Sequence, residues 1–302
     1  MKIDLPARKP FNFLSVVHSH GWYQLAPFSF EERENSLSYI FRLSNGRVVE
    51  LKLLDGKNGI IVETERLNKT EQKETANAVT WMFGLDMDFS AFYAASRLEP
   101  KLAHAKRQAL GRVLRSSTLF EDVVKTILTT NTLWAATINM TRRLVDEFGA
   151  PLNTAGRVVA PLAPNIETRS FPTPESIAAS NPDYIREKIR VGYRAPAIHE
   201  LAVRVAKGGF ELEALKSSDL STLELRKELM TINGVGPYAA ANLLMILGRH
   251  DFIPIDSYAL KMVSHEWYKG NPITAREVGK RFEKWGEYKG LAFWFWDWTY
   301  NE

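Results

Sequence analysis

Two glycines and one aspartate have the spacing that most narrowly indicates a chemistry in this chain. Gly234 and Gly236 flank Val235 between two helical patterns, and Asp256 follows Gly236 by 20 residues. Glycines in a tight turn leave backbone N–H groups uncovered, and the next helix adds the partial positive charge of its N-terminus. The turn can therefore bind one phosphate oxygen without a charged side chain, while Asp256 supplies a single carboxylate at a fixed distance along the chain.

Both features also have an ordinary structural interpretation. The glycine pair could form a plain turn between two helices, with Val235 as its packing anchor. Asp256 lies between an extended apolar run and an apolar helix, where an aspartate commonly caps the first helical turn. A capping aspartate can also act on a ligand, so the two roles of Asp256 are compatible.

The elements that must position these residues begin with a β-rich segment over residues 11–66. Apolar side chains alternate with others over residues 37–43 and again over residues 49–53, and Asn45-Gly46 predicts the hairpin turn between them. A third apolar run follows a glycine-rich turn. These runs predict an antiparallel sheet, and the later part of the chain predicts no further strand.

The later part of the chain predicts helices joined by loops. Ser221 and Glu224 have the spacing of a capping box, and the proline-rich stretch over residues 151–174 predicts a long surface loop. The fold class is therefore α+β, with an antiparallel β-rich N-terminal domain followed by an all-helical body. Apolar side chains with helical spacing predict helices over residues 119–128, 133–148, 221–230 and 238–247.

Composition excludes several classes of chemistry. The 302 residues include no cysteine, which excludes disulfides, thiolate zinc sites, iron–sulfur clusters and cysteine nucleophiles. A net charge of +4 is compatible with a polyanionic partner. The sequence has neither a long apolar run nor the apolar core of a signal peptide, so we expect a cytoplasmic protein without membrane contact, associated with the nucleoid if it is bacterial.

Three further features each have two interpretations. His18 and His20 form a His-x-His pair that could bind a metal, but the absence of evident further ligands favours a structural role. Lys125 is expected either to touch a phosphate or to be solvated. A basic run without acidic residues is expected to form a helix face that is solvated or contacts phosphates. The run comprises Lys101, Lys106, Arg107, Arg112 and Arg115.

The glycine turn and the aspartate together resemble the signature of a known superfamily. Residues 220–264 are similar to the helix–hairpin–helix plus Gly/Pro-Asp motif (HhH-GPD) of DNA glycosylases, which include 3-methyladenine DNA glycosylase II and 8-oxoguanine DNA glycosylase. The helix before Asn131, the run Gly192–Ala195 and the β-rich N-terminal domain also have counterparts in that superfamily. The resemblance implies a sheet domain with a flanking helix at 1–90, a helical subdomain formed by 91–118 and 257–302, and a helical subdomain at 119–256 that carries the hairpin.

The chemistry implied by the resemblance is hydrolysis of the N-glycosidic bond of a damaged base in double-stranded DNA. The nucleotide is flipped out of the duplex, and Asp256 stabilises the oxocarbenium ion and activates water. Members that also cut the strand carry a lysine two residues after the second hairpin glycine, where this chain has Tyr238. We therefore expect a monofunctional, monomeric hydrolase that needs no organic cofactor and no iron–sulfur cluster.

The hairpin is expected to bind DNA through its backbone. The resemblance assigns the phosphate grip to Asn233, Gly234, Val235 and Gly236. It also implies that backbone carbonyl oxygens of Thr231, Gly234 and Gly236 hold a monovalent or divalent cation.

Three residues match the part of the superfamily that fills the gap in the duplex. Asn131 is expected to occupy the space left by the flipped nucleotide and Tyr193 to wedge beside it, while Arg194 is expected to contact the orphaned base. The last two match the 8-oxoguanine branch. That branch also has a second arginine where this chain has Ala136, and a base-reading glycine that residues 19–22 do not clearly preserve.

An alkylated purine is the expected substrate because it carries positive charge, which electron-rich aromatic rings attract. Tyr238 is the first candidate for its pocket, and core packing is the alternative for most of the other rings. The remaining candidates are Trp22, Trp294, Trp296 and Trp298. Two other functions stay open: an 8-oxoguanine DNA glycosylase, and a non-catalytic protein that binds damaged DNA, against which the presence of Asp256 argues.

Overall fold

The computed structural model describes residues 1–152 and 168–299, which belong to two compact units. One unit combines Met1–Asp86 with Val113–Glu213, and the other combines Met87–Arg112 with Ala214–Glu302. The hairpin segment therefore groups with the end of the chain, whereas the expected boundaries placed it with residues 119–213. Within this unit the N–H group of Gly290 donates to the carbonyl of His250 at 2.7 Å.

The first unit contains a five-stranded antiparallel sheet in the order β1-β5-β4-β3-β2. Leu37 and Tyr39 pair with Leu53 and Leu51, and all four side chains are buried. The predicted alternation therefore marks the face of the sheet that packs into the core. The strands are β1 (Lys2–Pro6), β2 (Phe28–Glu31), β3 (Ser36–Arg42), β4 (Val48–Asp55) and β5 (Gly59–Glu63).

The two strands at the edges of the sheet were not predicted individually. β1 precedes the segment that was expected to be β-rich, and Leu5 is its only buried residue. β2 is four residues long and likewise buries one side chain, Phe28. Edge strands of this length bury too few side chains to show a clear alternation.

The helical segments agree with the predicted periodicity. The four predicted helices correspond to the segments 119–129, 134–148, 222–229 and 237–246. The α-helices of the described residues are α1 (Phe13–Val17), α2 (Lys69–Phe83), α3 (Ser90–Ser96), α4 (Leu119–Thr129), α5 (Trp134–Phe148), α6 (Pro174–Ala178), α7 (Pro182–Ile189), α8 (Ala195–Ala206), α9 (Thr222–Leu229), α10 (Pro237–Ile246), α11 (Ser257–Tyr268), α12 (Ala275–Phe282) and α13 (Lys289–Trp294). Short 3₁₀ helices cover Gly21–Gln24, Pro100–Leu102, Gly192–Arg194, Leu212–Ser217 and Glu283–Tyr288.

The capping box at the start of α9 and part of the predicted loop over residues 151–174 can be compared with the structure. Ser221 and Glu224 form the predicted capping box in both directions. Residues 153–167 of the predicted loop lie outside the described residues. Pro151 and Arg169, on either side of these residues, form an isolated antiparallel bridge.

In the described part of the chain, no helix combines the length and apolar character needed to cross a membrane.

The basic run over residues 101–115 does not form the expected helix face. It begins in a 3₁₀ turn and continues through irregular turns, and two of its arginines are buried. The guanidinium of Arg112 lies 5.3 Å from the centre of the Phe89 ring, and that of Arg115 lies 4.3 Å from the Trp81 ring. Aromatic stacking inside each unit, rather than solvent or phosphate, therefore accounts for these two charges.

Candidate active site and nucleic-acid interface

The turn between α9 and α10 has the geometry that the glycine pair predicted. Gly234 has a φ of 84°, a value that few residues other than glycine adopt. The N–H group of Val235 donates to the carbonyl of Ile232 at 3.0 Å, and both side chains are buried. Val235 therefore anchors the turn in the core, as expected from the sequence.

The glycine that precedes α10 leaves the start of that helix open. Gly236 is the N-cap residue, and its carbonyl accepts the N–H group of Ala240 at 2.9 Å. A Cβ atom added at Gly236 would meet nothing within 4 Å. Exposed backbone N–H groups and the positive end of a 10-residue helix thus point to one accessible place, where an anion is stabilised.

Asp256 caps α11 and keeps one carboxylate oxygen for other partners. Its Oδ1 accepts the N–H group of Ala259 at 2.7 Å, and the residue is exposed. The predicted capping role is therefore confirmed.

Tyr238 lies close enough to Asp256 for the carboxylate charge to affect the pKa of the phenol. Burial raises the pKa of the Tyr238 phenol, and the negative charge of Asp256 raises it further. The phenol is therefore neutral at physiological pH. The effect of the Asp256 charge on this phenol shows that the structure brings these two predicted residues near each other.

The C-terminal tryptophans divide into a packed pair and a third ring. Trp296 and Trp298 lie 5.3 Å and 5.8 Å from the ring of Trp267. The indole N–H group of Trp298 donates to the carbonyl of Phe293 at 3.3 Å. Both rings therefore pack in an aromatic cluster with Trp267. Trp294, the last residue of α13, is half-buried, and the base-pocket roles of all three tryptophans stay predictions.

Trp22 is a buried residue of the first unit. Its indole N–H group donates to Oδ1 of Asp122 at 2.7 Å. The backbone N–H group of Ser116 donates to the same oxygen at 2.9 Å. Burial raises the pKa of Asp122 to about 6. No local pattern predicts Asp122 as the partner of Trp22, since the two residues lie 100 positions apart.

Asn131, Tyr193 and Arg194 form one connected group in the first unit. Asn131 follows α4 with a φ of 46°, and its Nδ2 donates to the Tyr193 hydroxyl at 3.3 Å. Hydrogen bonds from Thr130 and Asn131 lower the pKa of that hydroxyl. The structure therefore brings together the three residues that were expected to occupy the gap in a duplex.

Arg194 is the buried member of this group. It is 7% exposed, and its guanidinium lies 4.6 Å from the centre of the Tyr193 ring. It donates to the carbonyls of Val191 at 3.3 Å and Asn131 at 3.4 Å, and also to that of Thr130. In this arrangement the guanidinium is held by backbone carbonyls, and the expected contact of Arg194 with an orphaned base stays a prediction.

Two residues beside Asn131 were not singled out from the sequence. Leu133 is 80% exposed, although the apolar spacing places it at the start of a helix. Trp134 packs so closely on Gly21 that an added Cβ there would lie 2.1 Å from the indole ring. The signal for Leu133 is an apolar residue at the N-cap of α5, a position that favours Ser, Thr, Asp or Asn.

Lys125 lies inside the protein, so both predictions for it are wrong. Its side chain is fully buried, and Nζ lies 2.6 Å from Oε1 of Glu121. The Tyr39 hydroxyl donates to the other Glu121 oxygen at 2.6 Å, and the ammonium lies 4.7 Å from the Phe28 ring. The ion pair is thus enclosed between α4 and the sheet, where its hydrogen bonds compensate for the loss of water.

The histidine pair has a structural role. The His18 ring packs at 4.8 Å on Tyr23. A ring nitrogen of His20 lies 2.6 Å from the carbonyl of Leu114, and burial lowers the pKa of His20 to about 4. Within residues 1–152 and 168–299, no group of three or more His, Asp or Glu side chains could hold a metal ion.

Known proteins share both the sequence pattern and the fold. The model of the HhH-GPD superfamily base excision DNA repair protein matches residues 124–287. A DNA-3-methyladenine glycosylase of Bacillus subtilis (strain 168) is 22% identical over 275 residues, which cover 88% of this chain and 87% of the relative.

Two solved structures extend over nearly the whole chain. The structure of MBOgg1 in complex with a low affinity DNA ligand is 27% identical, with a TM-score of 0.73 and coverage of 97% of this chain and 92% of that one. The 3-methyladenine DNA-glycosylase from Archaeoglobus fulgidus is 21% identical, with a TM-score of 0.74 and coverage of 98% and 97%. The α+β fold predicted from the sequence is confirmed by these structures.

Proposed function

The chain belongs to the HhH-GPD superfamily of base excision DNA repair proteins, and we propose that it is a monofunctional DNA glycosylase that removes an alkylated purine from double-stranded DNA. One observation carries this proposal. Asp256 presents a carboxylate at the start of α11, with one oxygen fixed by the N–H group of Ala259 and the residue exposed.

The carboxylate suits the charge that develops when a glycosidic bond breaks. A base can be reached only after its nucleotide is flipped out of the duplex. The sugar then gains oxocarbenium character as the base departs, and an ionised Asp256 stabilises that positive charge and orients water for attack at C1′. An alkylated purine already carries positive charge, so it leaves without a second acid from the protein.

The hairpin supplies the grip on DNA that the reaction needs. Gly234 and Gly236 expose backbone N–H groups at the start of α10, where a DNA phosphate would be stabilised. The carbonyl of Gly236 keeps one lone pair after accepting from Ala240. With the carbonyls of Thr231 and Gly234 it offers the hard oxygen ligands that suit a monovalent or divalent cation, which would add positive charge beside the phosphate.

Tyr238 supports a reaction that ends with release of the base. A lysine at this position would form a Schiff base with the sugar and lead to strand cleavage, whereas a neutral phenol cannot. Its half-buried ring also offers an aromatic face to a cationic base. The similarity to the two 3-methyladenine glycosylases supports the same class of substrate.

A second candidate is removal of 8-oxoguanine. Tyr193, in the run that resembles the 8-oxoguanine branch, accepts a hydrogen bond from Asn131. The similarity to MBOgg1 supports this alternative. The lysine that would make such an enzyme bifunctional is absent, which favours the alkylated purine.

A panel of duplexes tests the function directly. Each duplex carries 3-methyladenine, 7-methylguanine or 8-oxoguanine, and base release is read by alkaline cleavage of the resulting abasic site. We expect release of a methylated purine, with the strand intact until alkali is added. Release of 8-oxoguanine alone would favour the second candidate.

Two controls separate catalysis from binding and from lyase chemistry. We expect Asp256→Asn to slow base release by at least about 100-fold, since one electrostatic stabiliser of the transition state is removed. Borohydride should trap no covalent adduct on abasic DNA. Binding to an abasic duplex without base release from any lesion would instead show a non-catalytic damage-binding protein.

A further inference from the structure

The side chain of Arg194 has little capacity left for DNA. Its guanidinium donates to three backbone carbonyls, those of Val191, Thr130 and Asn131, and its Nε is buried without a hydrogen-bond partner among the described residues. A base could be reached only if these bonds were given up. The three carbonyls would then lose a charged donor, which is costly at a site that is 7% exposed.

The contacts of Arg194 instead join two segments of the chain. Thr130 and Asn131 belong to the turn after α4, while Val191 precedes the 3₁₀ helix Gly192–Arg194 and Tyr193 lies within it. The guanidinium bonds to the first segment and stacks on the Tyr193 ring of the second at 4.6 Å. The bond from Asn131 to the Tyr193 hydroxyl closes the connection. The turn and the ring are thus held in one fixed arrangement.

Two large apolar side chains are exposed at this group and beside it, next to the exposed amide of Asn131. Tyr193 is 65% exposed and Leu133 is 80% exposed. Leu133 is the N-cap residue of α5, two positions after the fixed turn at Asn131. An exposed leucine there covers no core residue, and apolar side chains of this kind enter base steps in proteins that unstack DNA.

We propose that Leu133 enters the base stack together with Tyr193, and that Arg194 is a positioning residue that holds this pair rather than a reader of the orphaned base. This inference rests on the proposed function, because it names what opens the duplex before Asp256 acts. Apolar insertion replaces stacking whatever the base, so recognition by this group is independent of the base opposite the lesion.

The first experiment compares variants on two forms of one lesion. Base release is measured on a fully paired duplex, with each of the four bases opposite the lesion, and on a duplex with the lesion inside a mismatched bubble. We expect Leu133→Ala to slow release from the paired duplex by about tenfold and to leave release from the bubble nearly unchanged, since the bubble is already unstacked. Leu133→Met should retain activity, because its side chain is of similar size.

The matched controls separate insertion and positioning from folding. Leu98→Ala removes a leucine that is 84% exposed elsewhere in the chain, and we expect no change on either substrate. Arg194→Met should slow release from the paired duplex by about tenfold to a hundredfold, by a similar factor for all four opposite bases. The melting temperature of each variant is measured alongside.

The outcomes decide each part of the inference. A loss in Arg194→Met that is confined to one opposite base would show that Arg194 reads that base. Equal losses on the paired and bubble substrates would show a structural role only. Wild-type activity of Leu133→Ala on the paired duplex would exclude its insertion.

A second measurement does not depend on catalysis. The fluorescence of 2-aminopurine placed beside a tetrahydrofuran abasic-site analogue rises when neighbouring bases unstack. We expect the rise with the wild-type protein and a smaller one with Leu133→Ala and Arg194→Met. If the wild-type protein releases no base, the proposed function fails while this measurement still tests the insertion; equal fluorescence for all three proteins overturns the inference even if bases are released.

Discussion

Replacing Asp122 by asparagine should change how the stability of the protein depends on pH. The carboxyl group is fully buried, and its Oδ1 accepts from Trp22 and Ser116 while Oδ2 has no hydrogen-bond partner within the described residues. Asparagine has nearly the same shape and can keep both bonds at Oδ1, but it cannot ionise. The substitution therefore isolates the cost of the buried charge.

The magnitude follows from the pKa of this carboxyl group. Burial raises the pKa of Asp122 from its usual 3.8 to about 6, against the opposing effect of the hydrogen bonds from Trp22 and Ser116. The folded protein therefore holds this proton to higher pH than the unfolded chain, and the stability linked to it is lost as the pH rises from about 4 to about 6. A difference of about two pH units corresponds to about 3 kcal/mol.

A neighbouring histidine acts in the opposite direction. Burial is the main reason that the pKa of His20 falls from 6.5 to about 4, and the charge of Lys125 lowers it further. The folded protein binds this proton more weakly than the unfolded chain, so its contribution to stability grows as the pH rises from about 4 to about 6.5. In the wild-type protein the two contributions largely cancel. In Asp122→Asn only that of His20 remains, so the stability of the variant should rise with pH.

Urea unfolding of both proteins between pH 4 and pH 7.5 measures the effect. The stability of Asp122→Asn relative to wild type should increase by about 3 kcal/mol across this interval, on top of a constant offset from burying the new amide. His20→Gln serves as the control, since its stability relative to wild type should fall over the same range. A relative stability of Asp122→Asn that stays constant with pH would refute the reasoning.

Three further predictions concern the cap, the hairpin and the buried ion pair. Asp256→Ala should lower the free energy of unfolding by about 1 kcal/mol because it removes the cap of α11, whereas Asp256→Asn should not; equal urea midpoints for the two would contradict the capping geometry. Gly236→Ala should weaken binding to an abasic duplex in a fluorescence titration, because the added Cβ would project toward the phosphate. It should change the free energy of unfolding by about 1 kcal/mol or less, since the backbone at residue 236 suits alanine. Gly234→Ala should also destabilise the fold, because its φ is 84°, and unchanged binding by both variants would exclude the hairpin as the phosphate site. Lys125→Met should cost about 3–5 kcal/mol in urea unfolding by leaving Glu121 buried without a counter-charge, and combining it with Glu121→Leu should recover most of that loss; additive losses would show that the two charges do not interact.

The features that could be predicted from the sequence are those that a short stretch specifies by itself. The capping box of Ser221 and Glu224, the turn at Gly234 and the cap at Asp256 each depend on residues within a few positions. Their geometry could therefore be derived before any tertiary contact was known. The period of apolar side chains identified α4 and α5 in the same way.

The features that the sequence did not reveal depend on partners far along the chain. Glu121 meets the Tyr39 hydroxyl across 82 positions, and this contact turns Lys125 from an apparently solvated residue into a buried one. Arg194 bonds to Thr130 across 64 positions. The residues next to a charged side chain in sequence do not predict such burial, because the same residue type is far more often exposed.

The ion pair of Glu121 and Lys125 makes the sheet an inseparable part of the helical body it covers. The carboxylate accepts one hydrogen bond from Tyr39 of β3, and the ammonium lies against Phe28 of β2, so α4 presents two charges to the sheet beside its apolar side chains. Deleting the first 64 residues would expose both charges and the neighbouring apolar side chains of α4 to water. We therefore expect that exchanging the sheet for that of a relative preserves stability only when α4 is exchanged with it.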